Sequence, residues 1–592
     1  MGRHGPLQQG RWIERSLSQY GNPAAGTPRT GHRRLRRSYG VAHEPELQGT
    51  GSQGARPPTP ALAYVATTAR LRESFWSETG STQAAESLSV SSHRQTLTQP
   101  GCIGVIPGRR ILRCVAIVIA CVPRISNAQA SLPARPAYAP ERYDEDWSFL
   151  RDPSKRTDFF DPIKWIPLDK DGSWFLTLGG ELRERFQDVR NMEFALPAPT
   201  QEENGFHRIF LFADIHLGPH FRTFVDLVDG EIMGGIVNPS PAEKDPLDLL
   251  QAFADVIFPV RNHGAFTLRL GRHEMTFGSG RFISFRDTPN VRREFDGVRT
   301  FWTNGKGKRV DVLLDRPVNP RLGVFNDVAD STQLFWGVYA STPVVASNGL
   351  SLDLYYLGLD RKNASFAQGP GRERRHTIGA RLFGKRTGFD WDEARDFHRP
   401  GRVDNDLSFD WDVEGAYQLG SFATADIHAW MISSNWGFTI LESRLSPRLG
   451  LKADALSGDR NLQDNRLGTF NALYPALQYY SQPGLFAPAN LINLQPNLTV
   501  DPTKSLSVNV AWSSLRREST ADAFYAPPLV AVPGTIKGKR LIGQEASVNL
   551  AWQATPHLNV TGTYAHFAPG GSVRQVGGRS GDYFLAVAQF RF

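Results

Sequence analysis

The sequence predicts an all-β fold, a transmembrane antiparallel β-barrel. Three observations point to it. Stretches of about ten residues alternate apolar and polar side chains, separated by Gly, Asn, Asp and Pro clusters. The polar faces of many stretches are densely charged, which suits a water-filled lumen better than the wet face of a soluble sandwich. The chain also ends in mid-strand on Phe592, with a secretion signal upstream.

Residues 1–130 contain 16 Arg, no Lys and no Asp, and show no sustained periodicity. Near their end, GRRILRCVAIVIACVPRISNAQA (108–130) has a signal-peptide layout. Arg109, Arg110 and Arg113 form the positive region, Val115 to Val122 the apolar run, and Ala128-Gln129-Ala130 the cleavage site. Residues 105–130 are therefore expected to be a signal peptide. Such a signal should begin a chain, so residues 1–104 are expected to be a mis-assigned gene start or a disordered extension. The chain holds 67 Lys and Arg against 59 Asp and Glu; 16 and 6 of these lie in residues 1–130, leaving 51 and 53, a net −2, after Ala130. The basic balance thus belongs to the leader and is no evidence of nucleic-acid binding. Cys102, Cys114 and Cys121 also fall there, so disulfides and thiolate metal sites are excluded from the mature chain.

Residues 131–172 lack clear alternation and are read as a periplasmic N-terminal segment, with the option of folding back into the lumen. The barrel is assigned to 173–592. In WFLTLGGELRERFQ, Leu176, Leu178, Leu182 and Phe186 oppose Thr177, Glu181, Arg183, Arg185 and Gln187. In HRIFLFADIHLGP, Ile209, Leu211, Ala213, Ile215 and Leu217 oppose Arg208, Asp214 and His216. In SFDWDVEGAYQL, Phe409, Trp411, Val413, Tyr417 and Leu419 oppose Ser408, Asp410, Asp412, Glu414 and Gln418. Leu506, Val508, Val510 and Trp512 oppose Ser505, Ser507, Asn509 and Ser513; Ala546, Val548, Leu550 and Trp552 oppose Glu545, Ser547, Asn549 and Gln553. No apolar run is long enough for a spanning helix. At about 9–11 residues per span the length fits roughly 16–20 strands, enough for an aqueous channel.

The final stretch, YFLAVAQFRF, places Phe584, Ala586, Ala588, Phe590 and Phe592 on one face. An apolar strand running to the terminus must be tied into a sheet, and in a closed barrel the last strand pairs with the first. The stretch resembles the C-terminal assembly signal of bacterial outer-membrane barrels, which implies the barrel-assembly machinery as a partner and the cell outer membrane, with its lipid, as location.

Four blocks carry a further resemblance: LGGELRERF (178–186), GRHEMTFGSGRFISFRDTPNVRREFDGVR (271–299), PRLGLKADALSGDRNLQDNRLGTFNALYP (447–475) and IGQEASVNLAWQATPHLNVTGTYAHFAPG (542–570). Together they resemble the alginate-export family of outer-membrane barrels, in the expected order over about residues 140–592. The resemblance implies 18 strands, a monomer and, for the member that names the family, passage of an anionic polyuronate. The family is broad, so it supports architecture more than substrate.

The Gly271 block is rich in guanidinium groups. Arg269, Gly271 and His273 share one parity; Leu268, Leu270 and Arg272 share the other, so Arg272 is expected at or beyond a strand end. Gly278, Gly280 and Pro289-Asn290 permit a loop that folds into the pore. Arginine stays charged and binds carboxylates bidentately, and a ring of arginines selects anions. The family pattern raises Arg272, Glu274, Arg281, Arg286, Arg292, Arg293, Asp296 and Arg299 as substrate-path residues; Arg183, Arg185, Arg208 and Arg222 are expected to line the same lumen. Each single arginine has a competing reading as a brace of the wall. Asp410, Asp412 and Glu414 would set an acidic wall against the basic one, a transverse field.

The expected function is a passive channel for an anionic saccharide such as alginate or another carboxylated solute, with a periplasmic export partner as an option. A general small-solute porin, a barrel enzyme acting on lipid or envelope polymer, and a plugged structural barrel are the alternatives. No enzyme is expected: His273-Glu274 lacks the second His of H-E-x-x-H, and there is no G-x-S-x-G. No cofactor or metal is expected either. Asp459, Asn461 and Asp464 look faintly like a calcium loop but lack the remaining ligands, and a turn is favoured.

Overall fold

The computed structural model describes residues 135–592, apart from 197–198, 235–238, 262, 346–348 and 389–406. The expected extension (1–104) and signal peptide (105–130) lie outside the described residues.

Eighteen long strands build the fold. They are β1 (Trp174–Arg190), β2 (Gln201–Leu217), β3 (Phe221–Gly234), β4 (Asp245–Val260), β5 (Gly264–His273) and β6 (Phe295–Thr303). Next come β7 (Arg309–Asn319), β8 (Gln333–Val345), β9 (Leu350–Phe366), β10 (Gly369–Thr387), β11 (Leu407–Phe422) and β12 (Ala425–Ile440). The last six are β13 (Arg448–Leu456), β14 (Leu491–Thr503), β15 (Leu506–Arg516), β16 (Leu541–Gln553), β17 (Leu558–Pro569) and β18 (Gly581–Arg591). Each pairs antiparallel with its neighbour in the chain. Strand β18 returns to β1, in register from Glu181↔Arg591 to Arg190↔Asp582, and closes the barrel. The strand count is the one the family resemblance implied.

The alternation sets the two faces. In β1, Glu181, Arg183 and Arg185 are buried inward while Leu182 and Phe186 are exposed outward. In β2, Arg208 and Asp214 point in and Leu211 points out; in β11, Glu414 and Gln418 point in and Tyr417 and Leu419 point out. The outward row continues through Val312, Leu354, Ile378, Ile432, Leu449, Val510 and Val548, all exposed. An exposed apolar row around a closed sheet is a lipid-facing belt, on which one Arg or Lys at the midplane costs about 2–4 kcal/mol. Trp174, Phe221, Phe258, Phe266 and Trp436 are exposed near one end, an aromatic girdle.

That end carries short connections such as 218–220, 304–308, 504–505 and 554–557, and the chain's last residue; long loops such as 274–294, 457–490 and 517–540 rise from the other. Short turns mark the periplasmic side of such barrels.

The apolar core sits inside the barrel. Phe277, Phe282 and Ile283 from 274–294, Phe470, Tyr480 and Phe486 from 457–490, and Phe524 from 517–540 pack with wall residues Tyr339, Tyr355, Leu357, Met431 and Phe567. Long loops thus fold down into the lumen rather than standing away from it.

From the opposite end, the N-terminal segment also enters. Its residues 140–143 reach the lumen, the folding-back option of the sequence reading. Arg142 donates to Gly180 O and Phe592 O, both at 2.9 Å, and pairs with Glu145 at 2.6 Å. The Tyr143 ring packs edge-on to Phe224 and Phe253, which with Phe212 make an inward apolar patch. The reason is local: Tyr143, Trp147, Leu150 and Trp165 need cover, and the barrel mouth provides it.

Candidate functional site

Loop 274–294 is the centre of the site. It leaves β5, crosses the lumen and enters β6. Gly278 and Gly280 make its sharp bend with φ of +58° and +74°. A Cβ at Gly278 would stand 2.7 Å from Tyr339 Oη, so the bend needs glycine for space as well as for φ.

On one wall the loop is held by inward arginines of β1 and β2. Arg183 donates to Asp287 O (2.5 Å), Pro289 O (2.8 Å) and Asn290 Oδ1 (3.0 Å). Arg185 reaches Thr288 O and the Glu243 carboxylate. Arg208 is paired with Glu181 and stands 2.9 Å from Asp287 Oδ1. Arg292, on the loop itself, bridges Asp287 (2.7 Å) and Glu274 (3.2 Å) and donates to Pro140 O (3.1 Å). On the far wall, Arg281 meets Asp412 (2.9 Å), Glu414 (2.7 Å) and Tyr479 Oη (2.7 Å). Loop 457–490 backs the crossing, with Tyr474 N donating to Phe282 O (2.8 Å) and Ser284 N to Tyr474 O (2.9 Å). Loop and N-terminal segment meet in mid-barrel, where Tyr143 Oη donates to Glu274 O at 2.8 Å.

Electrostatics within the crossing are uneven. Burial would raise Asp287, but Arg292, Arg208 and Arg183 outweigh it and hold its carboxyl well below the usual range. Glu274 is raised to about 8 by burial, with Asp226 and Asp287 adding to it against Arg292. Glu141 on the N-terminal segment is raised to about 8 by burial, Asp144 and Glu274.

The predicted residues divide. Arg183, Arg185, Arg208 and Arg222 face the lumen; Arg222 Nε pairs with Asp214 at 2.8 Å. Arg299 of β6 pairs with Asp311 of β7 at 2.8 Å, also inward. Glu274, Arg281 and Arg292 lie in the crossing loop. Arg286 (φ +59°) and Arg293 lie there too; Arg293 donates to Ser284 O (3.2 Å) and its guanidinium stands 5.5 Å from the Tyr474 ring.

Two expectations are corrected. Arg272 and Asp296 do not line the lumen. They share parity with Leu270 and Val298, which point outward, and pair with each other at 2.8 Å on the outer wall. Arg272 is the penultimate residue of β5, so parity holds where it was expected to fail. Nor does the acidic row of β11, which stands across the lumen from the arginines of β1 and β2, set up an uncompensated transverse field. Asp410 is met by Arg448 (2.9 Å), Asp412 by Arg381 (2.8 Å) and Arg281, and Glu414 by Arg281. Counter-charges arrive from neighbouring strands and from the loop, which pairing within one strand could not reveal. Asp459, Asn461 and Asp464 accept from the amides of Asn461, Gln463 and Arg466, as turn residues do.

The sequence reading missed one feature. At a single level of the wall, Arg448 pairs across to Thr499, Thr499 to Asn509, Asn509 to Asn549 and Asn549 to Thr563. Asn509 Nδ2 donates to Thr499 Oγ1 (2.9 Å) and Thr563 Oγ1 to Asn549 Oδ1 (3.0 Å). This belt of hydroxyls and amides spans β13–β17 and is half-buried. Asn509 and Asn549 were read as polar-face positions; only the register shows them to be adjacent.

Solved structures similar to the chain include a BenF-like porin from Pseudomonas fluorescens Pf-5 (10% identity, covering 70% of this chain and 98% of that one, TM-score 0.48). Pseudomonas aeruginosa OpdQ (13%, 70% and 98%, 0.47) and OccK11 (OpdR) (12%, 70% and 96%, 0.46) are others. No curated protein matches the chain. The family model described as alginate export matches residues 175–587, nearly the whole barrel, and the chain belongs to that family, an outer-membrane channel-type β-barrel.

Proposed function

We propose that the barrel is a passive channel for a carboxylated saccharide, alginate or another uronate-bearing solute. The belt Arg448–Thr499–Asn509–Asn549–Thr563 carries this reading. Its amides and hydroxyls suit ring hydroxyls, and Arg448 at its edge suits a carboxylate. Arg448 leaves 22% of its side chain exposed, whereas Arg208, Arg281 and Arg292 leave 0–2%. A passing solute can therefore reach Arg448 without dismantling the crossing loop. The buried arginines brace the loop; they contribute to an anion path only where the loop moves aside. A barrel has no energy source, so flux follows a gradient or delivery by a periplasmic partner, and the reading assigns no enzymatic step.

One observation favours a second reading, a general small-solute porin. Most lumen arginines already have a carboxylate within 3.2 Å, which leaves little uncompensated positive field. Single-channel recording in a planar bilayer separates the two. Anion selectivity with block by oligouronates is expected; a reversal potential near zero with no block would leave the general porin.

A further inference from the structure

The structure assigns a calcium-type divalent-cation site to Asp245, Asp248 and Asp327, at the long-loop end of the barrel and outside the lumen path described above. One carboxylate oxygen from each of the three can be chosen so that all lie within 4.8 Å of one another. Two oxygens bound to one calcium ion at about 2.3–2.6 Å stand at most about 5 Å apart, so the three fit a single ion.

The backbone makes the cluster. Asp245 and Asp248 are three residues apart and would point to opposite faces of a regular strand. Pairing of β3 with β4 slips between Val228↔Asp248 and Gly230↔Asp245, two residues against three, so an extra residue bulges there. Leu247, with φ +38°, takes up the bend. Asp327 is brought in by loop 320–332. Its own amide and that of Asn326 donate to Asp248 Oδ2 at 3.3 and 2.7 Å, and Phe325 N donates to Leu247 O at 3.2 Å. Arg272 clamps the arrangement from outside, donating to Leu249 O (3.0 Å) and Asp327 O (3.1 Å) while paired with Asp296.

Three clustered carboxylates alone would not make a site. Asp245 supplies the independent sign: it is 0% exposed, and both of its carboxylate oxygens are buried with no hydrogen-bond partner. A buried carboxylate that accepts no hydrogen bond is costly unless it shares a proton with a neighbouring carboxylate such as Asp327 or a cation meets it, and a bound cation would displace that proton. The nearest guanidinium, Arg272, spends Nε on Asp296 and its other nitrogens on Leu249 O and on Asp296 and Asp327 O. Asn326 Oδ1, next to Asp327, is also buried without a partner and offers a neutral oxygen on the same loop. An all-oxygen set of this charge suits a hard cation, and its irregular backbone suits calcium better than magnesium, which demands a strict octahedron. Bound there, the ion would staple loop 320–332 to the start of β4.

The test uses the full barrel, refolded in detergent and freed of lipid. Calcium binding is read by calorimetry, and thermal unfolding is followed in EGTA and in calcium. Expected are one saturable calcium site and a higher Tm in calcium. Asp327→Asn and the pair Asp245→Asn with Asp248→Asn should each weaken binding about tenfold or more and abolish the Tm response. In EGTA these variants should unfold no earlier than the parent, since they remove mutual repulsion. The same Tm in EGTA and calcium for the parent would overturn the site; so would binding that persists unchanged in the variants. Should the double variant not fold, Asp327→Asn alone, in a loop, decides the matter.

Discussion

Arg281 Nη1 stands 2.7 Å from Glu414 Oε2, although one belongs to the loop after β5 and the other to the wall strand β11. At the opposite wall the same loop is tied to Arg183 and Arg208. Loop 274–294 is therefore a crossbar pinned at both ends. Removing one partner of a buried ion pair leaves an uncompensated charge and costs about 3–5 kcal/mol. The crossbar is thus a firmly held obstacle in the lumen, and under the proposed function solutes pass it either when it is released or along the belt of β13–β17.

Arg281→Gln should free the far end. Glu414 would keep only Tyr355 Oη (2.8 Å), while Asp412 would keep Arg381. Larger single-channel conductance is expected, with thermal stability lowered by about 3–5 kcal/mol and the barrel still heat-modifiable. A variant with parental conductance would mean that the crossbar does not limit current.

Deleting Phe592 should impair assembly. Its N–H donates to Gly180 O (3.0 Å) and its carbonyl accepts from Gly180 N (2.9 Å), continuing the β18–β1 seam. Its ring stacks on Phe160 at 5.1 Å, and its carbonyl also anchors Arg142. The deletion removes the seam's last rung and one tie of the N-terminal segment. The check is heat-modifiable mobility of the protein in outer-membrane fractions; a normal shift would count against the assembly role.

The hold of loop 274–294 and the N-terminal segment should loosen as pH rises through about 8. Glu274 lies on the crossing loop and Glu141 on the N-terminal segment, the charge of Glu274 adds to the rise of Glu141, and burial is the main reason both carboxyls are raised from 4.5 to about 8. Each folded carboxyl keeps its proton where the unfolded one has lost it. Their contribution to stability is full below about 4.5 and is lost as pH rises through about 8. Conductance should increase across that window, and Glu274→Gln should flatten the rise. A pH-independent parent channel would exclude the pair as a switch.

The barrel was legible because a closed sheet in lipid obeys a period of two. Parity alone placed Arg183 inside and Leu182 outside, and it held to the last residue of β18. Parity also contained the answer for Arg272: it shares the face of Leu270, and the exception made for a strand end was unneeded. What the sequence hid is non-local. Arg281 reaching Glu414 depends on where a 21-residue loop lands, and Asn509 meeting Asn549 depends on register across a long connection. Entry of the N-terminal segment could be left only as an option for the same reason: its apolar residues are sparse, and the patch of Phe212, Phe224 and Phe253 that receives Tyr143 comes from three strands.

The belt and the buried arginines should separate under mutation. A carboxylate bound by Arg448 makes charge-assisted hydrogen bonds worth about 1.5–3 kcal/mol, so Arg448→Gln should weaken oligouronate block roughly tenfold or more. Asp410 would then stand unpaired on the wall and repel the solute by itself. The double variant Arg448→Gln with Asp410→Asn removes that complication and should still resist block. Asn509→Ala loses one neutral bond, about 0.5–1.5 kcal/mol, and should weaken block a few-fold with little change in open-channel current. Arg208→Gln, by contrast, strips Glu181 and Asp287 of a buried partner and should lower stability while leaving block by the side path intact. If Arg208→Gln abolished block and Arg448→Gln did not, the solute would be passing through the crossbar rather than along the belt.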